Sequence, residues 1–248
     1  GDRIDAARAS ILAACGIARV PVSRRPSVTL LATGSELREP GEPLAPGEIY
    51  ESNRALLAPL LESIGCAVQV LPLVRDDLAA TAQALKSAFE TSDAVITTGG
   101  VSVGEFDFVK DAFAQLGGAI ELWRVAIRPG KPFVFGTLGR RHLFGLPGNP
   151  VSALVTFLLL VRPALLRLQQ AAALELPRAP GQLAEAVHNR GDRRHFMRVR
   201  WEAGRISICG PQASHMIGSL AGANGLLDVP PATRLEAGAS AEVRLWQL

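Results

Sequence analysis

Residues 93–100 read Asp-Ala-Val-Ile-Thr-Thr-Gly-Gly, a short apolar and β-branched run that ends on two glycines. Such a run is typical of a buried strand, and glycine at its carboxyl end is typical of a turn. The pattern has a counterpart upstream, where residues 27–34 read Ser-Val-Thr-Leu-Leu-Ala-Thr-Gly. In both places a loop and then helix-periodic sequence follow the strand. The repetition predicts βαβ units.

The rest of the first two thirds of the chain continues this alternation. Predicted helices cover residues 2–14, 52–64, 77–89, 105–115 and 151–168. Further strand-like runs cover residues 66–73, 120–127, 133–135 and 142–144. Strands that alternate with helices of ten or more residues predict an α/β domain with a mainly parallel sheet.

The sequence changes character at residues 176–181, a cluster of proline and glycine that we interpret as a linker. Beyond this cluster come short runs separated by turn residues, and no long amphipathic helix. The runs cover residues 182–188, 196–201, 205–208 and 241–246. They predict a small all-β domain of about 70 residues.

Charge and cysteine content disfavour several classes of protein. The chain has 26 Lys+Arg and 23 Asp+Glu, a mild basic balance that suits an anionic small molecule better than nucleic acid. Aromatic residues are only 5% and form no stripe with basic ones. Cys15, Cys66 and Cys209 are far apart, which disfavours a disulfide framework or structural zinc and favours a reducing, cytoplasmic compartment.

No segment is expected to enter a membrane. The longest apolar run, Val151 to Val161, is shorter than the about 20 residues that span a bilayer, so we predict a buried helix. The chain opens on Gly1-Asp2-Arg3 without the hydrophobic stretch of a signal peptide, and none is expected.

Acidic residues stand near the carboxyl ends of the predicted strands, where open parallel sheets bind ligands. Thr33, Gly34 and Glu36 follow the first strand, and Asp76 precedes a helix that Asp77 can cap. Because Mg²⁺ prefers oxygen ligands, Glu36 and Asp76 predict a divalent-cation site across the crevice. The plainer alternative for Glu36 is a turn with a solvated carboxylate.

Residues 97–107 read Thr-Thr-Gly-Gly-Val-Ser-Val-Gly-Glu-Phe-Asp and lead into a predicted helix. Free backbone N–H groups and the helix dipole at such a loop favour phosphate. The predicted binding residues are Gly99, Gly100, Ser102 and Gly104. Asp107 would add an acid beside a phosphate–metal site; alternatively, it is a first-turn acid favoured by the dipole.

Three cations, Arg124, Arg128 and Lys131, alternate along a strand and its exit turn. Arg128 and Lys131 flank a Pro-Gly pair that can aim both at one anion. Arginine offers planar bidentate donors and lysine a point charge, a combination that suits an oxyanion. The alternative is an edge strand whose charges prevent aggregation.

Residues 145–152 read Gly-Leu-Pro-Gly-Asn-Pro-Val-Ser and precede the most apolar helix of the chain. Pro150 suits the first helical turn, where Ser152 presents an N–H and a hydroxyl. A helix N-terminus that faces the cations would complete an anion pocket. A purely structural turn is the alternative, although such a turn rarely needs so many constrained residues.

Taken together, these segments resemble the molybdopterin molybdenumtransferases, called MoeA in bacteria and represented by the gephyrin E domain in animals. The resemblance covers essentially the whole chain and is specific as an ordered set. In the first part of the chain the matching strings are Thr33-Gly-Ser-Glu-Leu37, Ile49-Tyr50, Ser52-Asn53-Arg54, Arg75-Asp76-Asp77 and Gly99-Gly-Val-Ser-Val-Gly-Glu105 with Asp107. In the later part they are Arg128-Pro-Gly-Lys-Pro132, Gly145-Leu-Pro-Gly-Asn-Pro150, Ser214-His215-Met216, Ser219-Leu220 and Ala223-Asn224-Gly225-Leu226.

The resemblance implies a domain plan. Residues 1–24 resemble the end of the family's dimerisation region. Residues 25–172 resemble its three-layer, MogA-like molybdopterin-binding α/β domain, and residues 178–248 its barrel-like C-terminal domain. The family's upstream half has no counterpart here, so this piece is not necessarily active or dimeric alone.

The resemblance also implies a function in molybdenum cofactor biosynthesis. The family inserts molybdenum from molybdate into adenylylated molybdopterin with a divalent cation, here expected to be Mg²⁺, and releases AMP. The full-length protein is expected to be a homodimer, with neither nucleic acid nor a membrane as partner.

Site residues are carried over from the family position by position. Glu36, Asp76 and Asp107 match family acids implicated in activity and are the implied catalytic and metal-binding residues. The implied ligand-binding residues of the cationic segment and the helix N-terminus are Arg124, Arg128, Lys131, Pro132, Pro147, Pro150 and Ser152. In the β domain Ser214 is implied, with Arg193 or Arg198 as weaker candidates.

Two departures from the family pattern bear on geometry. Ser35 stands where the motif commonly has Asp, so one acid is lost from that loop. Arg124 and Arg128 stand where Lys is common, which keeps the charge but widens the donor group.

Two alternative functions stay open. A molybdopterin adenylyltransferase shares the α/β domain type but normally has Thr-Gly after its Gly-Gly loop and lacks an appended β domain. A non-catalytic molybdopterin-binding or scaffold module would not require intact acids and cations.

Overall fold

The computed structural model describes residues 1–101 and 108–246. A first helix, α1 (Ala6–Ala14), is capped by the Asp5 side chain, which accepts from the N–H of Arg8. None of its residues is buried. Residues 15–26 then lead to the first strand of a mixed sheet.

The sheet confirms the predicted mainly parallel arrangement. Its strands are β1 (Ser27–Ala32), β4 (Ala67–Val70), β5 (Ala94–Thr98), β6 (Ala119–Trp123), β8 (Val134–Leu138) and β9 (Arg141–Leu146). Their order is β4-β1-β5-β9-β8-β6, with the first four parallel and the last two pairings antiparallel. A short parallel pair, β2 (Leu37–Arg38) and β3 (Ile49–Tyr50), lies outside this sheet.

Helices cover both faces of the sheet, because side chains on successive strand positions point to opposite sides. On one face lie α2 (Asn53–Ser63) and a continuous helical run of α5 (Pro150–Thr156), a π-helical turn (Phe157–Val161) and α6 (Arg162–Leu168). They pack against β1 through Val28 and Leu30. On the other face lie α3 (Leu78–Thr91) and α4 (Phe108–Gln115), which pack against Leu31. The result is the three-layer domain that the resemblance implied.

The helical run Pro150–Leu168 is long and apolar enough to span a membrane by length and composition. A core helix passes the same test, and Val151 to Leu158 are buried in the domain core. The burial agrees with the interpretation of this stretch as a core helix.

The C-terminal part is a closed barrel. Its strands are β10 (Arg178–Leu183), β12 (Arg194–Glu202), β13 (Arg205–Ile208), β14 (Gly225–Val229) and β16 (Ser240–Leu245). They run in the order β13-β10-β16-β14-β12, and the β12–β13 pairing closes the circle. A separate pair, β11 (Val187–Asn189) with β15 (Thr233–Leu235), and a 3-10 turn (Ile217–Leu220) complete this part.

Two expectations for the chain need correction. Residues 178–181 are not linker but the first part of β10, because they pair with residues 241–244 of β16. The predicted run 120–127 is two strands, β6 and β7 (Ile127–Arg128), separated by residues 124–126, of which Arg124 has a backbone φ of +70°. In both cases a distant partner strand, rather than local composition, decides the structure.

The barrel is joined to the α/β part by pairing and by packing. Strand β7 pairs in parallel with the start of β12, so that Arg128 lies opposite His195. The core on the α2 face also continues into barrel residues such as Phe196 and Trp246. This junction places one end of the barrel beside the loop that follows β9.

Candidate functional site

Loops from four parallel strands converge at the carboxyl edge of the sheet. The N–H of Thr33 donates to the Thr98 carbonyl at 3.0 Å, and the N–H of Gly34 to the Val74 carbonyl at 3.1 Å. The N–H of Gly99 donates to the Leu146 carbonyl at 3.2 Å. The loops after β1, β4, β5 and β9 are therefore tied together where open sheets bind ligands.

The glycine pair after β5 permits this close approach. Gly99 has φ +84° and Gly100 has φ +62°, both in the left-handed region that favours glycine. A Cβ on Gly99 would overlap the Thr33 carbonyl oxygen, and one on Gly100 would lie 2.9 Å from Thr33 Oγ1. Gly148, in the loop after β9, lies next to the Cα of Gly99.

Several polar side-chain atoms are buried at this edge without a hydrogen-bond partner among the residues described. They are Thr33 Oγ1, Thr97 Oγ1, Thr98 Oγ1 and Asn53 Oδ1. Unsatisfied buried groups are uncommon in folded proteins, and each one costs free energy. Their concentration beside the glycine pair fits a site that accommodates a polar ligand.

The two acids that the structure describes in this region stand on adjacent loops. Asp76 Oδ2 accepts the N–H of Ser35 at 2.9 Å, and Ser35 Oγ accepts the N–H of Asp76 at 3.1 Å. Glu36 is exposed and Asp76 half-buried. Ser35 thus links the β1 loop to Asp76, a function that its departure from the family motif did not suggest.

The donor set fits Mg²⁺ chemically, because this ion takes one or two carboxylates and completes its shell with water and substrate phosphates. Within residues 1–101 and 108–246, no group of three or more His, Cys, Asp or Glu side chains could hold a metal ion. The third predicted acid, Asp107, lies outside the described residues, as do Ser102 and Gly104.

A cavity of about 360 Å³ lies between the α/β part and the barrel. From the α/β part it is lined by Arg128, Pro129, Gly130, Lys131, Pro132, Pro147, Asn149 and Ser152. From the barrel it is lined by Arg193, Gln212, Ala213, Ser214 and His215. Seven residues that the sequence implicated, Arg193 among them, are therefore brought to one pocket, from segments up to 86 positions apart, Arg128 to Ser214.

The pocket is electropositive. Arg128, Lys131 and Arg193 line it, and no carboxylate is among the lining residues described. Arg193 Nη1 also donates to the Ile127 carbonyl at 3.2 Å, which fixes this side chain beside β7. The positive charges also affect the neighbouring His195. Burial lowers the pKa of His195 to about 4, and the charges of Arg128, Arg198 and Arg193 add to the shift.

The N-terminus of the longest apolar helix also faces this pocket. Pro150 occupies the first turn of α5, where its missing N–H costs nothing. Asn149 is the N-cap residue but its side chain makes no capping hydrogen bond. Ser152 is 4% exposed and lines the pocket. First-turn N–H groups and the helix dipole favour an anion there.

Other predicted residues are placed elsewhere. Arg124 stacks on the exposed Trp123 ring, with its guanidinium carbon 4.0 Å from the ring centroid, and is not among the residues that line the cavity. Arg198 is fully buried in the barrel. It donates to the Pro211 carbonyl at 2.7 Å and to Ser219 Oγ at 2.8 Å. Its position supports the segment that carries Ser214 rather than the pocket itself.

Some lining residues were not singled out from the sequence. Asn149, Gln212 and His215 belong to this group. The strings around Asn149 and His215 were recognised as parts of motifs, but no local pattern indicated that they face one cavity. Gln212 carries no sequence signal, since its position depends on how the barrel docks.

The fold and the site define a class of protein: an α/β ligand-binding domain joined to a small barrel, with a cationic pocket at the junction. Residues 29–167 match the family described as a probable molybdopterin binding domain. Residues 180–246 match the family described as the MoeA C-terminal region, domain IV. The chain belongs to the molybdopterin-binding, MoeA-type family.

Individual relatives agree with this membership. The chain is 38% identical over its full length to molybdopterin molybdenumtransferase 2 of Mycobacterium tuberculosis, of which it covers 63%. It is 42% identical over 86% of its length to the molybdopterin molybdenumtransferase of Haemophilus influenzae, of which it covers 54%. The chain thus spans between half and two thirds of these relatives.

A solved structure shows the same fold. The molybdopterin biosynthesis MoeA protein of Pyrococcus horikoshii superposes with a TM-score of 0.86 at 30% identity. The superposition covers 98% of this chain and 60% of the other.

Proposed function

We propose that this chain is the catalytic part of a molybdopterin molybdenumtransferase. In the proposed reaction, molybdenum from molybdate is inserted into adenylylated molybdopterin, and AMP is released. The proposal rests on the family membership and on one observation, the carboxylate-free cationic pocket beside the carboxyl edge of the sheet.

The pocket suits a tetrahedral dianion. Arg128 and Arg193 offer planar donors, and Lys131 offers a compact charge. The N-terminus of α5 and the hydroxyl groups of Ser152 and Ser214 add hydrogen-bond donors of the kind that oxyanion sites use. Molybdate and tungstate share shape and charge, so the proposed site accepts either.

The adjoining loops suit the nucleotide-linked pterin. We propose that Thr33, Gly34, Gly99 and Gly100 contact it, and that the orphaned threonine hydroxyls at this edge take part. Glu36 and Asp76, with Asp107, would hold Mg²⁺, which would neutralise charge on the pyrophosphate when bound. Family membership further supports a cytoplasmic enzyme that is a homodimer at full length.

The oxyanion site is tested by calorimetric titration of the chain with molybdate, tungstate and sulfate. We expect a saturable site that Lys131→Ala weakens about tenfold, since one lost charge contact of about 1.4 kcal/mol is tenfold in affinity. Lys86→Ala removes the same charge from an exposed position on α3 and is the matched control. Equal weakening by both variants would reduce the effect to net charge and refute the pocket as the site.

The reaction is tested with the full-length protein, adenylylated molybdopterin, molybdate and Mg²⁺. Release of AMP with molybdenum retained in the product supports the transferase. Formation of adenylylated molybdopterin from ATP would favour an adenylyltransferase instead. Ligand binding without either conversion would favour a non-catalytic module.

A further inference from the structure

The turn between β9 and α5 supplies Pro147 and Asn149 to the cationic pocket, and the first turn of α5 supplies Ser152. The prolines restrict its backbone locally, but few hydrogen bonds tie the turn to the rest of the domain among the residues described. Pro147 and Pro150 have no N–H to donate. The Asn149 side chain does not cap the helix, and among the residues described the Asn149 carbonyl accepts only the normal helical bond from Ala153, at 2.9 Å. The position of this turn relative to the pocket therefore depends on contacts from outside the turn.

Within the part of the chain that the structure describes, one side-chain hydrogen bond reaches this turn. Asn53 Nδ2 donates to the Gly148 carbonyl at 2.7 Å, across 95 positions of sequence. Asn53 is the first residue of α2 and is 8% exposed, whereas Gly148 is exposed. The bond links a buried helix end to the turn whose residues Pro147 and Asn149 line the pocket.

The start of α2 is itself held rigidly. Glu51 Oε1 accepts the N–H of Asn53 at 2.6 Å and the N–H of Arg54 at 3.0 Å, which caps the helix. Glu51 Oε2 pairs with Arg54 Nε at 2.9 Å. Arg54 also donates to the Leu71 carbonyl at 2.7 Å and to the Glu39 carboxylate. These hydrogen bonds fix the start of α2 and therefore the position from which Asn53 donates to Gly148.

The amide orientation shows which function the side chain serves. Because the Gly148 carbonyl can only accept, the Asn53 NH₂ group must face it, and Oδ1 points elsewhere. That Oδ1 is buried with no hydrogen-bond partner among the described residues, which costs stability. An apolar residue would avoid this cost, so the donor to Gly148 is the feature that explains the asparagine.

We propose that Asn53 is a positioning residue for oxyanion binding: its amide holds the Gly148 turn so that Asn149, Ser152 and the α5 N-terminus face the pocket. The proposal rests on the proposed function in so far as the anion is molybdate. The positioning of the turn by Asn53 applies to the free protein as well, without any bound anion.

The test replaces Asn53 by leucine, which has similar size and no donor. Exposed Gly148 can then hydrogen-bond to water and the orphaned Oδ1 disappears, so we expect the melting temperature to change little. Tungstate or molybdate binding should weaken about tenfold. Amide hydrogen exchange in the free protein should accelerate about tenfold at residues 151–153, which are buried and of which Ala153 donates its N–H to the Asn149 carbonyl.

Thr81→Val is the matched control, because Thr81 is also buried with an unpartnered Oγ1 but lies on α3, on the opposite face of the sheet. It should change neither the exchange at residues 151–153 nor the oxyanion affinity. If N53L fails to fold, Asn53→Ser, whose side chain is too short to reach Gly148, replaces it in the same comparison.

Unchanged exchange at residues 151–153 in the Asn53 variant overturns the proposal, whatever the affinity. Faster exchange in a protein whose wild-type form binds no oxyanion supports the positioning of the turn but refutes the proposed function. Faster exchange with unchanged affinity overturns the link between the turn and the anion. Faster exchange with weaker binding supports the whole inference.

Discussion

Gly99→Ala tests whether the close contact between the β5 and β1 loops is a steric requirement. Gly99 has φ +84°, and an added Cβ would overlap the carbonyl oxygen of Thr33. The substitution therefore carries two costs. An L-residue in the left-handed region costs about 1–2 kcal/mol. Overpacking against backbone that cannot move freely adds about 1–3 kcal/mol.

Gly139→Ala separates these two costs. Gly139 also has a left-handed φ, +60°, but a Cβ there meets nothing within 4 Å. It lies in the turn between β8 and β9 of the same domain. We therefore expect about 1–2 kcal/mol of destabilisation for Gly139→Ala and about 2–5 kcal/mol for Gly99→Ala.

Urea denaturation measures both variants against the parent chain, and the midpoint shift at constant m gives the loss of unfolding free energy. An equal loss in the two variants would refute the steric argument, because only the conformational cost would remain. Because Gly148 lies beside Gly99, Gly99→Ala should also weaken oxyanion binding, in addition to lowering the unfolding free energy.

Two further predictions concern the junction between the sheet and the barrel. His195 has its pKa lowered from 6.5 to about 4, so as pH falls through this window the unfolded chain takes up a proton before the folded chain does. The free energy of unfolding should therefore decline between pH 6.5 and 4. In His195→Gln it should depend less steeply on pH over this range, and an equal pH dependence in the two proteins would contradict the lowered pKa of His195. Asn189 is 1% exposed, and the two hydrogens of its Nδ2 amide are shared among the carbonyls of Arg193, Val229 and Pro230, which lie 2.8–3.0 Å away. Asn189→Ala should cost about 2–4 kcal/mol in a denaturation experiment and weaken oxyanion binding through Arg193, whereas a loss below about 1 kcal/mol would show that water replaces these bonds.

Much of the α/β part was predictable because its signals are local. The run 27–32 matches β1 in both bounds. Asp77 caps α3, because its side chain accepts a hydrogen bond from the N–H of Ala80. Apolar periodicity and turn glycines determine such elements within a few residues of chain. The sequence does not indicate strand β14 and predicts a linker at the start of β10, because both strands depend on partners far along the chain.

The candidate site is likewise predictable from the sequence only in part. The sequence by itself determined which residue types are available: acids after two strands, a glycine-rich loop, cations around a Pro-Gly pair, and a proline-rich helix start. The tertiary structure alone decided that Arg128, Ser152, Arg193 and Ser214 meet in one cavity and that Arg124 stacks on Trp123 instead. The physical reason is that backbone conformation is set mainly by neighbours in the chain, whereas a pocket is set by the closure of the barrel and by the β7–β12 pairing. That pairing joins residues 67 positions apart, since Ile127 lies opposite Arg194 and Arg128 opposite His195.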